Sequence, residues 1–157
     1  MEKIISYPIS FFSMMLFLLT LVIFHPIQWL CFNVFGYQAH KKRVDYLNFI
    51  LLRIGHFLGN TYKVTGRELI PENVPIIFVA NHQSLYDIAG IIWFMRRFHP
   101  KFVSKKELGS GIPSISYNLK HGGSVLIDRK DPKQAIPVIT SLGKYIEKHT
   151  RSAVIFP

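Results

Sequence analysis

The stretch Asn81-His82-Gln83-Ser84-Leu85-Tyr86-Asp87 holds the residue types from which a general base is built. A histidine and an aspartate five positions apart meet if the chain enters a helix between them. Ser84 would then be the N-cap and Asp87 would lie in the first turn, which also makes the pair a form of capping box. A carboxylate held against one ring nitrogen fixes the tautomer and orientation of an imidazole. The other nitrogen is then free to take a proton from a hydroxyl. That is half of a catalytic triad, with the nucleophile supplied by the substrate. A plainer reading, in which Asp87 caps a helix and His82 turns a loop, stands beside it.

Arg129 follows the apolar run 125–127, and at the carboxyl end of a strand a guanidinium can grip a phosphate bidentately. It could equally pair with Asp128 or Asp131. Lys105 and Lys106 stand at the end of another strand-like run and either line the same rim or form a solvated face. Gly122-Gly123 reads as a tight turn into a strand, and it is no phosphate loop because the Lys-Ser/Thr ending is missing. His25, His40, His56, His99, His121 and His149 share no spacing of the kind metal sites use, so they read as structural and no metal site is expected.

These residues must be positioned by a scaffold, and the chain changes pattern where they begin. Short β-rich runs at 62–65, 76–80, 101–104, 124–127 and 153–156 alternate with helical runs at 85–96, 113–119 and 132–148. The last helix opens with Asp131 as N-cap and Pro132 at its first position, with Pro137 predicted to delay its start. Alternation of this kind predicts an α/β domain over 61–157, with a mixed, largely parallel sheet flanked by helices. Its ligands should bind beyond the carboxyl ends of the strands. His82, Lys105 and Arg129 all fall there.

Two stretches resemble a known family. Asn81-His82-x4-Asp87 is similar to the His-x4-Asp motif of the glycerolipid acyltransferases, and Gly123-Ser124-Val125-Leu126-Ile127-Asp128-Arg129 resembles their second motif, Gly-x-x-Phe-x-x-Arg, with Leu126 in place of Phe. Lys105-Lys106-Glu107-Leu108 and Ile112-Pro113 also look like the bacterial 1-acylglycerol-3-phosphate acyltransferases. Val154-Ile155-Phe156-Pro157 is similar to the strand that leads into the family's third motif, Glu-Gly-Thr-Arg, and the chain is therefore expected to be a fragment, incomplete at its C-terminus.

The resemblance implies transfer of a fatty acyl group from a thioester, acyl-CoA or acyl carrier protein, to the sn-2 hydroxyl of lysophosphatidic acid, giving phosphatidic acid. No cofactor or metal is implied. His82 would be the base and Asp87 its orienting group, while Arg129, Gly123 and Lys105 would serve the substrate. The alternative is a catalytically incomplete, membrane-tethered fragment that binds lipid or acyl carrier without turnover.

Composition supports a lipid partner. Hydrophobic residues are 49% and charged residues 18% of the 157-residue chain, a balance that excludes disorder. Up to His40 the only charges are Glu2 and Lys3, so the whole net charge of +10 lies beyond it. A basic domain behind a neutral apolar leader fits anionic lipid or a phosphorylated substrate better than nucleic acid, for which no reader motif is present. The uncharged run 4–24 is about 31 Å long as a helix, enough for a bilayer core. Pro26 is predicted to break it, leaving either a spanning helix or a hairpin bent near Pro26. Lys41-Lys42-Arg43 then supplies a basic stop that places the domain on the cytoplasmic side. A third helix, with one apolar face from Leu47 to Leu58, should end at Gly59-Asn60, so that residues 1–60 form a helical membrane anchor. Cys31 is alone and forms no intrachain disulfide.

Overall fold

The computed structural model describes residues 2–156. Its first element, α1 (Glu2–Phe57), is helical except at Gly36, whose φ of 75° and ψ of −171° fold it into two arms. A residue with a Cβ is strained at this φ, and glycine is not. The arms run back along each other. Phe17 and Leu21 of the first share a buried cluster with Leu47, Leu51, Leu52 and Ile54 of the second. The bend predicted near Pro26 is therefore at Gly36, and the helix runs through both Pro8 and Pro26. Tertiary packing overrides the local breaker at Pro26. One turn earlier the Ser114 hydroxyl donates to the Leu21 carbonyl at 2.6 Å, and the Ser114 N–H donates to His25 Nδ1 at 3.0 Å.

The segment from Leu47 is the end of this same helix. Gly59, at φ 81°, closes it, with the Gly59 N–H on the His56 carbonyl and the Asn60 N–H on that of Gly55. The first arm buries Ser13, Phe17, Leu21, Gln28 and Cys31, a stripe at helical spacing, and exposes Phe11, Met14, Leu18, Val22, Trp29 and Phe35.

Four strands follow, β1 (Ile76–Val79), β2 (Pro100–Lys105), β3 (Val125–Ile127) and β4 (Ser152–Ile155). They pair in the order β1-β4-β2-β3, all parallel. Successive side chains of a strand alternate between faces. On one face Phe102 and Val154 pack with Ile92 of α2 (Leu85–Phe94) and Val44 of α1. On the other, Val103, Val125 and Ala153 meet Leu142 and Ile146 of α4 (Pro132–His149). A short helix, α3 (Ile115–His121), leads from β2 to β3 and rests on the first arm of α1.

Two local expectations need correction. Residues 62–65 form no strand, because none of the four strands lies alongside to complete a ladder, and Tyr62 instead stacks on His56 with ring centroids 5.3 Å apart. Pro137 does not delay α4, which starts at Pro132 with the Asp131 carboxylate accepting from the Lys133 and Gln134 N–H groups. The carbonyl that Pro137 leaves unpaired, that of Lys133, is on the exposed side, where water can satisfy it.

Candidate functional site

β1 delivers the chain to the carboxyl edge of the sheet, and residues 80–84 turn there into α2. Ser84 is the N-cap, in an extended conformation, with its hydroxyl accepting from the Tyr86 N–H at 3.2 Å. The Asp87 carboxylate reaches back and takes the N–H groups of Gln83 and Ser84 at 2.6 and 2.7 Å, completing the capping box. The same oxygen, Oδ2, lies 3.4 Å from His82 Nδ1. Asp87 thus caps the helix and also faces the histidine. With Nδ1 toward the carboxylate, Nε2 is the free nitrogen. The side chains of His82 and Asp87 are 38% and 33% exposed, open to a substrate arriving from solvent or lipid.

Partial burial by itself raises the pKa of the Asp87 carboxyl. The N–H donors of Ser84 and Gln83, and then His82, outweigh it and hold the group below its ordinary value. Asp87 is therefore an anion wherever His82 would act as a base. On its other side the imidazole lies on the Phe156 ring, with centroids 4.5 Å apart and planes 25° from parallel, and Phe156 stacks in turn on Phe102 at 6.1 Å.

The strand order places the other candidates along the same edge. His82 follows β1, Phe156 follows β4, Lys105 ends β2 in register with Ile127, and Arg129 follows β3. The outer strands are three spacings apart, roughly 14 Å, so His82 and Arg129 face each other across the edge without touching. Arg129 is exposed and, among the described residues, makes no ion pair. The carboxylates offered to it locally are engaged elsewhere, Asp128 by the Lys130 N–H at 2.9 Å and Asp131 by the start of α4. Gly123 sits at φ 87° at the turn into β3, and a Cβ there would meet the Tyr145 hydroxyl at 2.7 Å. Its side is thus closed by protein. Among the described residues no three His, Cys, Asp or Glu side chains are grouped to hold a metal ion.

Beneath α2 lies an apolar pocket with a cavity volume of about 100 Å3. Leu85 and Ile88 of α2 and Phe102 and Ser104 of β2 wall it on the catalytic side, and Phe17 and Leu51, one from each arm of α1, close it opposite. Phe102 and Phe156 are the two rings between this pocket and His82. Neither Phe156 nor the arms of α1 were identifiable as site components from sequence. An apolar residue at a strand's exit and an apolar stripe at 17 and 21 were the signals, and both also describe ordinary core.

Comparison with known proteins identifies the family. The acyltransferase family model matches residues 61–157. The 1-acyl-sn-glycerol-3-phosphate acyltransferase of Helicobacter pylori is 36% identical over 84 residues, 52% of this chain and 33% of the relative. That of Cocos nucifera is 32% identical over 103 residues, 64% and 31% of the two chains. The alpha form from Homo sapiens is 25% identical over 116 residues, 74% and 40%. The chain spans roughly a third of the length of such relatives. No solved structure matches the chain.

Proposed function

Because the chain belongs to the acyltransferase family, we propose that it carries the catalytic half-site of a 1-acyl-sn-glycerol-3-phosphate O-acyltransferase. The observation that supports this most is the His82–Asp87 pair at the carboxyl edge of a parallel sheet, two rings away from an apolar pocket. Asp87 holds Nδ1, and Nε2 removes the proton from the sn-2 hydroxyl as its oxygen attacks the thioester carbonyl. When the tetrahedral intermediate collapses, the C–S bond breaks and the imidazolium returns the proton to the departing thiolate. A new ester and a free thiol result, and His82 is regenerated. The apolar lining of the pocket suits an acyl chain. Arg129 and Lys105 on the far side of the edge suit the acceptor phosphate.

The first arm of α1 is about 50 Å long and exceeds the ~30 Å of a hydrocarbon core. It is long and apolar enough to cross a membrane. Its inner face, however, is occupied by the second arm and α3, and only the outer face is open to lipid. This geometry supports a hairpin embedded from one side, and the basic residues after it support a domain on the cytoplasmic side. Lys41, read from sequence as part of a basic stop, is turned inward onto Asp45 at 2.6 Å, leaving Lys42 and Arg43 for the headgroups.

The test is turnover of lysophosphatidic acid by the purified chain in micelles with acyl-CoA and with acyl carrier protein thioester. Phosphatidic acid formed by the chain and abolished in His82→Ala is the expected result. Saturable binding of acceptor or donor with no product would establish the alternative, a binding module without turnover.

A further inference from the structure

The opposite, amino edge of the sheet holds a second group of polar side chains. There Lys101 of β2 and Arg151 before β4 meet the second arm of α1 just past the Gly36 bend. Lys101 is 5% exposed, and its ammonium donates to the Tyr37 hydroxyl at 2.8 Å. Lys41 donates to Asp45 at 2.6 Å and to the Arg96 carbonyl at 2.7 Å. The Arg151 guanidinium lies 4.1 Å from the centroid of the Tyr37 ring. Three cations, Lys41, Arg96 and Lys101, thus act on one carboxylate, Asp45, and Arg151 adds a fourth positive charge beside Tyr37 and Lys101.

His40 is 0% exposed, lines the same pocket, and has no hydrogen-bond partner on either ring nitrogen. Its ring is fixed by edge contacts with Phe32 at 5.5 Å and Tyr117 at 5.8 Å. Buried polar groups almost always have partners, and buried cations need counter-charge. Burial, then Arg151 and Lys41, outweigh Asp45 and push Lys101 down to about 7, the response of an ammonium whose counter-charge is insufficient. The space lined by Tyr37, His40, Lys41, His99 and Lys101 has a volume of about 20 Å3, room for one small ion or water, and is partly open to solvent.

We propose that this pocket binds one small monovalent anion of halide size, held by the Lys101 ammonium, the remaining N–H of Lys41 and one N–H of His40. A water would fill the space but leave the excess positive charge uncompensated. A phosphate is too large for the enclosed part, and its second charge would face Asp45. The bound anion would join the second arm of α1 to β2 and β4, so it acts on the docking of the helical hairpin and not on the chemistry at the other edge. The inference is independent of the proposed activity.

The experiment uses the full chain in micelles at pH 7, exchanged into gluconate at fixed ionic strength and titrated with bromide while its melting temperature is followed. A saturable rise of about 5 °C is expected. In Lys101→Met the rise disappears, and its melting temperature in gluconate equals or exceeds that of the unsubstituted chain, because a cation without counter-charge has been replaced by an apolar side chain of similar length. Bromide absorption-edge scattering from crystals of the unsubstituted chain, which needs no variant, should place one bromine against Lys101 Nζ. A rise that is linear in salt, is shared by Lys101→Met or is matched by sulfate overturns the proposal. So does a melting temperature indifferent to halide, or a pocket without bromine.

Discussion

The imidazole of His82 lies flat on the ring of Phe156, 4.5 Å between centroids, and so is held from below by β4 and from the side by Asp87 of α2. Two elements distant in sequence therefore fix one side chain in position and in rotation. Phe156 touches the base but no reacting atom of the proposed chemistry, which makes it a positioning residue. Phe156→Ala should lower kcat by about tenfold, within the range that small misplacements cost, while KM for the acceptor stays nearly constant. Phe156→Tyr should restore most of the rate. Initial rates at saturating and limiting acceptor measure the split, and a change in KM alone would show that the ring serves binding.

His82→Ala and Asp87→Asn should each reduce turnover by roughly 10²-fold or more, but they should differ in stability. His82 supports no secondary structure, whereas Asp87 also caps α2, and loss of a cap costs about 1 kcal/mol. Thermal melts of the two variants separate the roles. Because the folded pKa of Asp87 lies below its ordinary value of 3.8, its contribution is complete above that value and is lost as pH falls through the folded pKa. The acid limb of the stability curve should accordingly be shallower in Asp87→Asn.

Arg129→Ala should raise KM for a phosphate-bearing acceptor by roughly tenfold, leaving the donor KM and the melting temperature unchanged, since the guanidinium forms no ion pair among the described residues. Equal loss toward both substrates would point to a structural role.

Lys101 gives a pH dependence of the same sign in a higher window. Its folded pKa of about 7 is below the unfolded 10.5, so between these values the unfolded chain holds a proton that the folded chain lacks. In halide-free buffer stability should climb with pH across this window, by at most about 1.4 kcal/mol per unit. Tyr37, His40, Lys41, Asp45, His99 and Arg151 face the ammonium and set the background against which Lys101→Met must be compared. Denaturant midpoints from pH 7 to 10 in the two chains measure the slope.

The chain should remain with membranes through high salt and carbonate and leave with detergent, because its exposed apolar stripe does not weaken with ionic strength. A version beginning near Lys41 should not be a salt-extractable folded domain. It lacks Phe17 and Leu21, whose burial contributes roughly 3–6 kcal/mol, and it uncovers Leu47 and Leu51. Aggregation of that version is expected, and a soluble, cooperatively melting protein would show that the arms dock only loosely.

The His82 loop was legible in the sequence because its determinants are local, a capping box placed directly after an apolar strand. The positions of β1, β2, β3 and β4 were legible for the same reason. What was hidden depended on contacts between distant segments. Phe156 meets His82 only because β4 pairs with β1, and residues 62–65 look like a strand but find no partner. Pro26 is the stronger local breaker, yet the fold bends at Gly36 because packing against Ser114 carries the helix past the proline. Lys41 resembled a headgroup-facing charge until Asp45, one turn on, was seen to share its buried site.

The strand order also dictates a schedule. Of the four described strands β4 is the last in sequence, yet it lies between β1 and β2 and joins them. Until it emerges, β1 lacks its neighbour among the described strands, and β2 can pair there with β3 alone. The apolar arms of α1 are synthesised long before, with nothing of the domain available to cover them. On the proposed membrane reading, delivery to a bilayer precedes folding, and the nascent domain closes on a hairpin already in lipid. Slowing translation within α4 would prolong the stage at which β1 and β2 stand as open edges, the species most prone to aggregate.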